Sequence, residues 1–158
     1  MDKTHRRVFV AIGSWVMLIF VTSSFVIPFD TFVRFVQGLL PAAALKQEFA
    51  NFWLAGWFFV VKGWHATEYA ILLTLGTAVL RAKTSRSRRK CIAAALAFAV
   101  LFAASDEWHQ TFVPGRDGCA RDVLIDSTGA SIAALLLFLR KPRRLPEALS
   151  SQSDPLPP

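Results

Sequence analysis

Cysteine is scarce in this chain: there are two in 158 residues, Cys91 and Cys119. Two thiols make no disulfide framework, and they leave the redox compartment open. If the apolar run beginning at Cys91 spans a membrane, the two lie on opposite sides and cannot bridge within one chain. A glycine-rich phosphate loop is missing, and Ser105, Thr111 and Ser131 stand in no nucleophile signature. No internal repeat is visible, which removes solenoids and arrays. Acidic residues are also few, 11 against 18 basic, for a net charge of +7. In a soluble domain, basic clusters would suggest nucleic acid. Here each cluster, Met1–Arg7, Arg81–Lys90 and Arg140–Arg144, abuts an apolar run. The clusters are therefore read as orientation signals, with no nucleic-acid partner.

What the chain has in quantity is apolar surface. Hydrophobic residues make up 54% and mean hydropathy is +0.42, as in a small integral membrane protein. Four spans are predicted, at about 8–27, 61–80, 91–110 and 122–139, each near the ~20 residues that cross hydrocarbon. The third must carry Asp106–Gln110 in its last turns, and the fourth Asp122 and Asp126 in its first. The expected fold is all-α: one integral membrane four-helix bundle over residues 1–144, with both termini and Arg81–Lys90 cytoplasmic. The tail 145–158 is Pro/Ser-rich and is expected to be a disordered cytoplasmic segment. A secretory signal peptide is the rival reading of residues 1–27. It is disfavoured by the length of the apolar stretch and by Val21-Thr-Ser23 as a cleavage site. Residues 30–51 read equally as a plain outer loop or as a short interfacial helix. Span three is rich in alanine and span four carries Gly129, Ser131 and Ala133, so these two are expected to form the tight centre.

Counting ~1.5 Å per residue back from Leu80 places Lys62 at the outer interface and His65, Glu68 and Tyr69 successively deeper. Lys62, His65 and Tyr69 share one helical stripe, and Glu68 flanks it. Asp106, His109 and Gln110 form a stripe at the outer end of span three, with Glu107 beside it. Asp122, Asp126 and Gly129 form another at the start of span four. Lipid cannot solvate these groups, so the three stripes are expected to face each other. A purely structural account remains open: Lys62 can neutralise Glu68 or Asp122, Arg116 can pair with Asp106, and such networks fix helix register without chemistry.

His65-x-x-Glu68 and Asp106-x-x-His109 each put two metal-type ligands on one face. The nearby lysine and arginine oppose a cation, and no thiolate joins them, so no metal or other cofactor is expected. Pro114-Gly115-Arg116 reads as a turn that brings Arg116 over the helix ends, where a guanidinium suits phosphate or carboxylate. Trp53, Trp57, Trp64 and Trp108 fit an outer aromatic belt.

Two segments carry a family resemblance. Lys62-Gly-Trp-His65-Ala-Thr-Glu68-Tyr69 is one. The other runs Asp106-Glu-Trp-His-Gln110-Thr-Phe-Val-Pro-Gly-Arg116 and continues in Asp122-Val-Leu-Ile-Asp126-Ser-Thr-Gly129. Together they resemble the VanZ-like family of small bacterial membrane proteins, which is named for a member associated with resistance to teicoplanin. Asp126 departs from the Asn usual in that pattern, and Ala133 stands where Gly is frequent. The resemblance implies a multi-pass protein of the bacterial inner membrane, linked to the cell envelope and to glycopeptide resistance. The expected function is binding or handling an anionic envelope molecule, a lipid-linked wall precursor or a glycopeptide, in an outer-leaflet polar pocket among membrane lipids. His65, Asp106, Glu107 and His109 are the candidate acid/base groups. Lys62, Glu68, Tyr69, Gln110, Arg116, Asp122 and Asp126 are the candidate ligand-binding groups, with Lys62 and Arg116 on the anion. Two rival classes stay in view: an intramembrane hydrolase or transferase acting on a lipid-linked phosphate, and a structural or regulatory membrane partner. Whether a reaction is catalysed, and the oligomeric state, are left open by the sequence.

Overall fold

A computed structural model describes residues 3–25 and 28–140. The expected tail at 145–158 lies outside them. Among the described residues there are five helices and no strand: α1 (Lys3–Ser24), α2 (Phe29–Leu39), α3 (Ala43–Lys83), α4 (Arg88–Gln110) and α5 (Ala120–Leu139). Three are long and apolar enough to cross a membrane: Arg6–Ser24 within α1, then α4 and α5. The expected span at 61–80 lies within α3, where Lys62, His65 and Glu68 dilute the apolar run.

The breaks between helices have local causes. Pro28 opens α2, and its carbonyl accepts the Phe32 amide at 3.1 Å. Leu40 precedes Pro41 and is extended, at φ −87 and ψ 133, as a residue before proline prefers. After that stop, nothing interrupts Ala43–Lys83: the segment contains no proline, and its three glycines, Gly56, Gly63 and Gly76, do not break it. Hence the region 30–51 is not a plain loop: the short helix forms as α2, and a second, longer helix begins at Ala43. Most of it is helical, in α2 and in the first turns of α3. α3 ends with Arg81 and Lys83 in its last turn, where cations suit the carbonyl end, and Thr84 bonds the Leu80 carbonyl through both its amide and its hydroxyl. Gly115, at φ 83, makes the turn between α4 and α5, closed by the Arg116 amide on the Val113 carbonyl at 3.1 Å.

α3, α4 and α5 pack against one another, α1 lies across α3 and α4, and α2 packs on α3. The core is built from Tyr69, Leu72 and Leu73 of α3, the Ala95–Ala99–Ala103 stripe of α4, Ala130 and Ala134 of α5, and Ile19 of α1. The i, i+4, i+8 alanines let α4 come close, as small residues do between apolar helices. The closest approach is elsewhere. A side chain on Gly129 would fall onto the backbone of Ala66, so α5 touches α3 there main chain to main chain. Of the small residues expected at the centre, Gly129 is buried, Ala133 half-buried and Ser131 exposed. The tight contact is therefore α3–α5 rather than α4–α5, because Gly129 faces α3 while Ser131, two residues on, turns away.

One end of the packed helices is basic, with Arg81, Lys83, Arg88, Arg89 and Arg140. There Lys83 sits over Phe9 and Arg89 over Phe138, at 4.9 and 5.0 Å from the ring centroids. The α4–α5 turn and the acidic residues lie at the other end.

Candidate functional site

At that second end, helical spacing puts polar groups on facing stripes and packing brings them together. Lys62 Nζ lies 2.5 Å from Asp122 Oδ2, across from α3 to the first turn of α5. Asp122, not Glu68, is thus the partner of Lys62. Glu68 is fully buried; its Oε2 lies 3.3 Å from His65 Nδ1, and its Oε1 accepts from Thr22 Oγ1 of α1 at 3.0 Å. The Trp15 indole also reaches α3, donating to the Glu68 carbonyl at 2.9 Å.

On α4, Asp106 is buried and accepts two bonds, from Ser23 Oγ at 2.6 Å and from Gln110 Nε2 at 3.1 Å. Gln110 Nε2 also donates to Glu107 Oε1 at 3.2 Å. The other oxygen of Glu107 accepts the backbone amide of Cys119 at 2.9 Å. Cys119 is the residue before α5, so Glu107 places a carboxylate at that helix's amide end, the stabilising arrangement for a negative group. His109 Nε2 lies 3.1 Å from Ser24 Oγ, and its ring packs on Phe20 at a centroid distance of 4.7 Å.

Asp126 and Tyr69 are deeper. Asp126 is buried and has no ion pair with a described residue. The Tyr69 hydroxyl is buried without a hydrogen-bond partner among the described residues. Arg116 does not meet Asp106. Its Nη2 donates to the carbonyls of Thr22 and Phe25, at 3.1 and 2.9 Å, and so covers the open carbonyl end of α1.

Three consecutive hydroxyls of α1 therefore clip three of the chemistry-bearing side chains: Thr22 on Glu68, Ser23 on Asp106 and Ser24 on His109. The sequence reading missed them. In a helix these hydroxyls also bond their own backbone, Thr22 to the Leu18 carbonyl and Ser24 to the Phe20 carbonyl, so local pattern alone gives them no reason to stand out.

A cavity of about 410 Å³ opens beside this row. Phe20, Phe102, Trp108 and Phe112 make its apolar wall; Ser105, Asp106 and His109 supply its polar groups. Among the described residues, no cluster of three or more His, Cys, Asp or Glu side chains forms a metal centre. The polar row is rich in acceptors: five carboxylates (Glu68, Asp106, Glu107, Asp122, Asp126) stand with Lys62, His65 and His109, while Arg116 is turned to the α1 carbonyls.

A family model described as VanZ/LLP1 matches residues 8–141. The chain belongs to the VanZ/LLP1 family. The match runs through all five helices and the whole polar row, and with the three apolar helices it makes this a membrane protein of the VanZ type. No curated protein and no solved structure matches the chain.

Proposed function

We propose that this VanZ/LLP1 protein binds an amphipathic cell-envelope molecule from the outer leaflet. The apolar part would occupy the ring-lined cavity, and the head group would meet Asp106 and His109. α1, α3, α4 and α5 cross the inner membrane as a four-helix bundle, with the basic end and both termini in the cytoplasm, as the excess of Lys and Arg there favours. The observation that carries the reading is the cavity itself: four aromatic side chains around Ser105, Asp106 and His109, with Asp106 buried and held by Ser23 and Gln110. An apolar pocket with a few convergent, pre-positioned polar groups is what a ligand site requires.

The geometry also bears on the head group. Lys62 and Arg116, the two groups best suited to an anion, are engaged by Asp122 and by the α1 carbonyls. An anionic head group would have to displace Asp122 from Lys62. Hydroxyl or amino groups, as on a sugar or an amino-bearing carrier lipid, need no such exchange and complement the carboxylate-rich row. Polyol or amine recognition is therefore favoured over a bare phosphate.

The test is mass spectrometry of lipid that copurifies with the protein, alongside photo-crosslinking with a labelled lipid-linked sugar. Asp106→Asn and His109→Ala should each reduce capture while the protein still accumulates in the membrane. Capture unaffected by either change would remove the cavity from the function. Conversion of the labelled lipid to product would move the protein to the hydrolase or transferase class. Teicoplanin susceptibility of cells carrying the same variants tests the proposed link to glycopeptide resistance.

A further inference from the structure

α3 is much longer than its neighbours. Its 41 residues extend about 60 Å, against about 35 Å for the 23 of α4. The Lys62–Asp122 pair fixes where α3 passes the start of α5. The segment before it, Ala43–Val61, is about 28 Å long, and beyond Phe58, whose ring lies 5.7 Å from the Arg121 guanidinium of α5, it projects past the bundle. α2 packs along this arm through aromatic rings: Phe32 lies 4.5 Å from Trp53 and Phe29 6.4 Å from Trp57, centroid to centroid.

The surface of the arm does not suit water. Phe49–Val61 contains no charged residue. Phe52, Leu54 and Phe59 are 62%, 67% and 76% exposed. Phe35 and Leu39 of α2 are exposed as well. Soluble surfaces rarely carry so much contiguous apolar area. Phe52 and Phe59 are seven residues apart and share a face. Leu54, two residues on from Phe52, points about 200° away at ~100° per residue, to the opposite side. A protein partner docks on one face of a helix, whereas hydrocarbon surrounds it. The uncharged stretch ends at Lys62 on one side and at Glu48 and Lys46 on the other, which marks two boundaries of an apolar layer.

We infer that the α2–α3 arm is immersed in the lipid of the outer leaflet. The arm Phe49–Val61 and the span 61–80 are one unbroken helix, with Lys62, His65 and Glu68 between their apolar stretches. Phe49–Leu80 measures about 48 Å, more than the ~30 Å of hydrocarbon, so with both stretches in lipid α3 is tilted. α2 lies along the arm as an interfacial helix, and Trp53 and Trp57 anchor the pair near the head groups. The polar row at Lys62–Tyr69 then sits below the lipid surface. Lipid molecules flank the site, and a membrane-borne ligand reaches it sideways without crossing water.

This inference rests on the proposed membrane crossing, and one experiment distinguishes failure of the two. In a background of Cys91→Ala and Cys119→Ser, nitroxide labels are placed singly at Phe52, Leu54 and Phe59. Controls are Leu101 and Leu135 on the outer faces of α4 and α5, and Ser85 in the α3–α4 turn. The full chain is reconstituted in phosphatidylethanolamine–phosphatidylglycerol vesicles, and collision with oxygen and with a water-soluble nickel chelate is measured. Expected is an oxygen-to-nickel ratio at all three arm positions that matches Leu101 and Leu135 and is inverted from that of Ser85. A nickel-accessible Phe52 or Leu54, with lipid-like controls, overturns the arm's immersion and leaves the bundle in place. Shielding from both reagents together with dipolar broadening between labels overturns it in favour of a second copy packed on the arm. Water-like ratios at Leu101 and Leu135 would reject the membrane bundle and the arm together.

Discussion

The bond from Ser23 to Asp106 offers the sharpest test of how α1 holds the site. Ser23 is fully buried, and its hydroxyl donates to a buried carboxylate at 2.6 Å across two helices. The perturbation is a double-mutant cycle: Ser23→Ala, Asp106→Ala and the pair together. Hydrogen bonds to charged groups contribute about 1.5–3 kcal/mol in water-soluble proteins. Interhelical bonds inside membranes average about 0.6 kcal/mol and reach about 1.7, because the unfolded state in lipid also finds partners. A short, charge-assisted, fully buried bond belongs at the top of the membrane range, so a coupling of about 1.5 kcal/mol is expected, roughly tenfold in the folding equilibrium. Loss of the Gln110–Asp106 bond is common to both halves of the cycle and cancels. The assay is reversible unfolding in detergent–lipid micelles, followed by tryptophan emission. The reasoning is refuted if the coupling lies within about 0.5 kcal/mol of zero, which is what residues that do not touch give.

Three further outcomes follow from the packing. Gly129→Ala puts a methyl group onto the Ala66 backbone, which cannot yield as a flexible side chain would, and should cost at least ~1–3 kcal/mol in thermal unfolding; an unchanged midpoint contradicts the close α3–α5 contact. Arg116→Ala frees the Thr22 and Phe25 carbonyls and should cost ~0.3–1 kcal/mol, with Arg116→Lys largely restoring stability; loss of teicoplanin phenotype in both at wild-type stability would instead assign Arg116 to the ligand. For orientation, an impermeant thiol reagent on intact cells should label Asp117→Cys and spare Ser85→Cys, with Cys91 and Cys119 replaced. Asp117 is the suitable position because a side chain at Gly118 would meet the Glu107 carbonyl, and the reverse labelling would invert the proposed topology.

Much of the site was legible before any packing was known. The spacing of Lys62, His65 and Tyr69, and of Asp106, His109 and Gln110, put each set on one face, because helical periodicity is a local property of the chain. The apolar runs and the VanZ-like segments were equally legible, and the family match over residues 8–141 agrees with them. The helix at 29–39 stood level with a loop, since its apolar spacing was partial and the aromatic contacts that hold it, Phe32 on Trp53 and Phe29 on Trp57, come from another helix.

Partner choice belonged to the tertiary structure. Lys62 had two acids within reach on sequence grounds, and the approach of α5 at Gly129 settled on Asp122. Arg116 looked equally suited to Asp106, but the turn at Gly115 delivers it to the end of α1, whose open carbonyls compete for the same donors. The reach of α3 beyond Lys62 was hidden for a related reason. A charge in an apolar run reads as the edge of a span, yet a helix continues through it wherever no proline or cap intervenes. The hydroxyls Thr22, Ser23 and Ser24 became hydrogen-bonding neighbours of Glu68, Asp106 and His109 through long-range packing, which no local periodicity encodes.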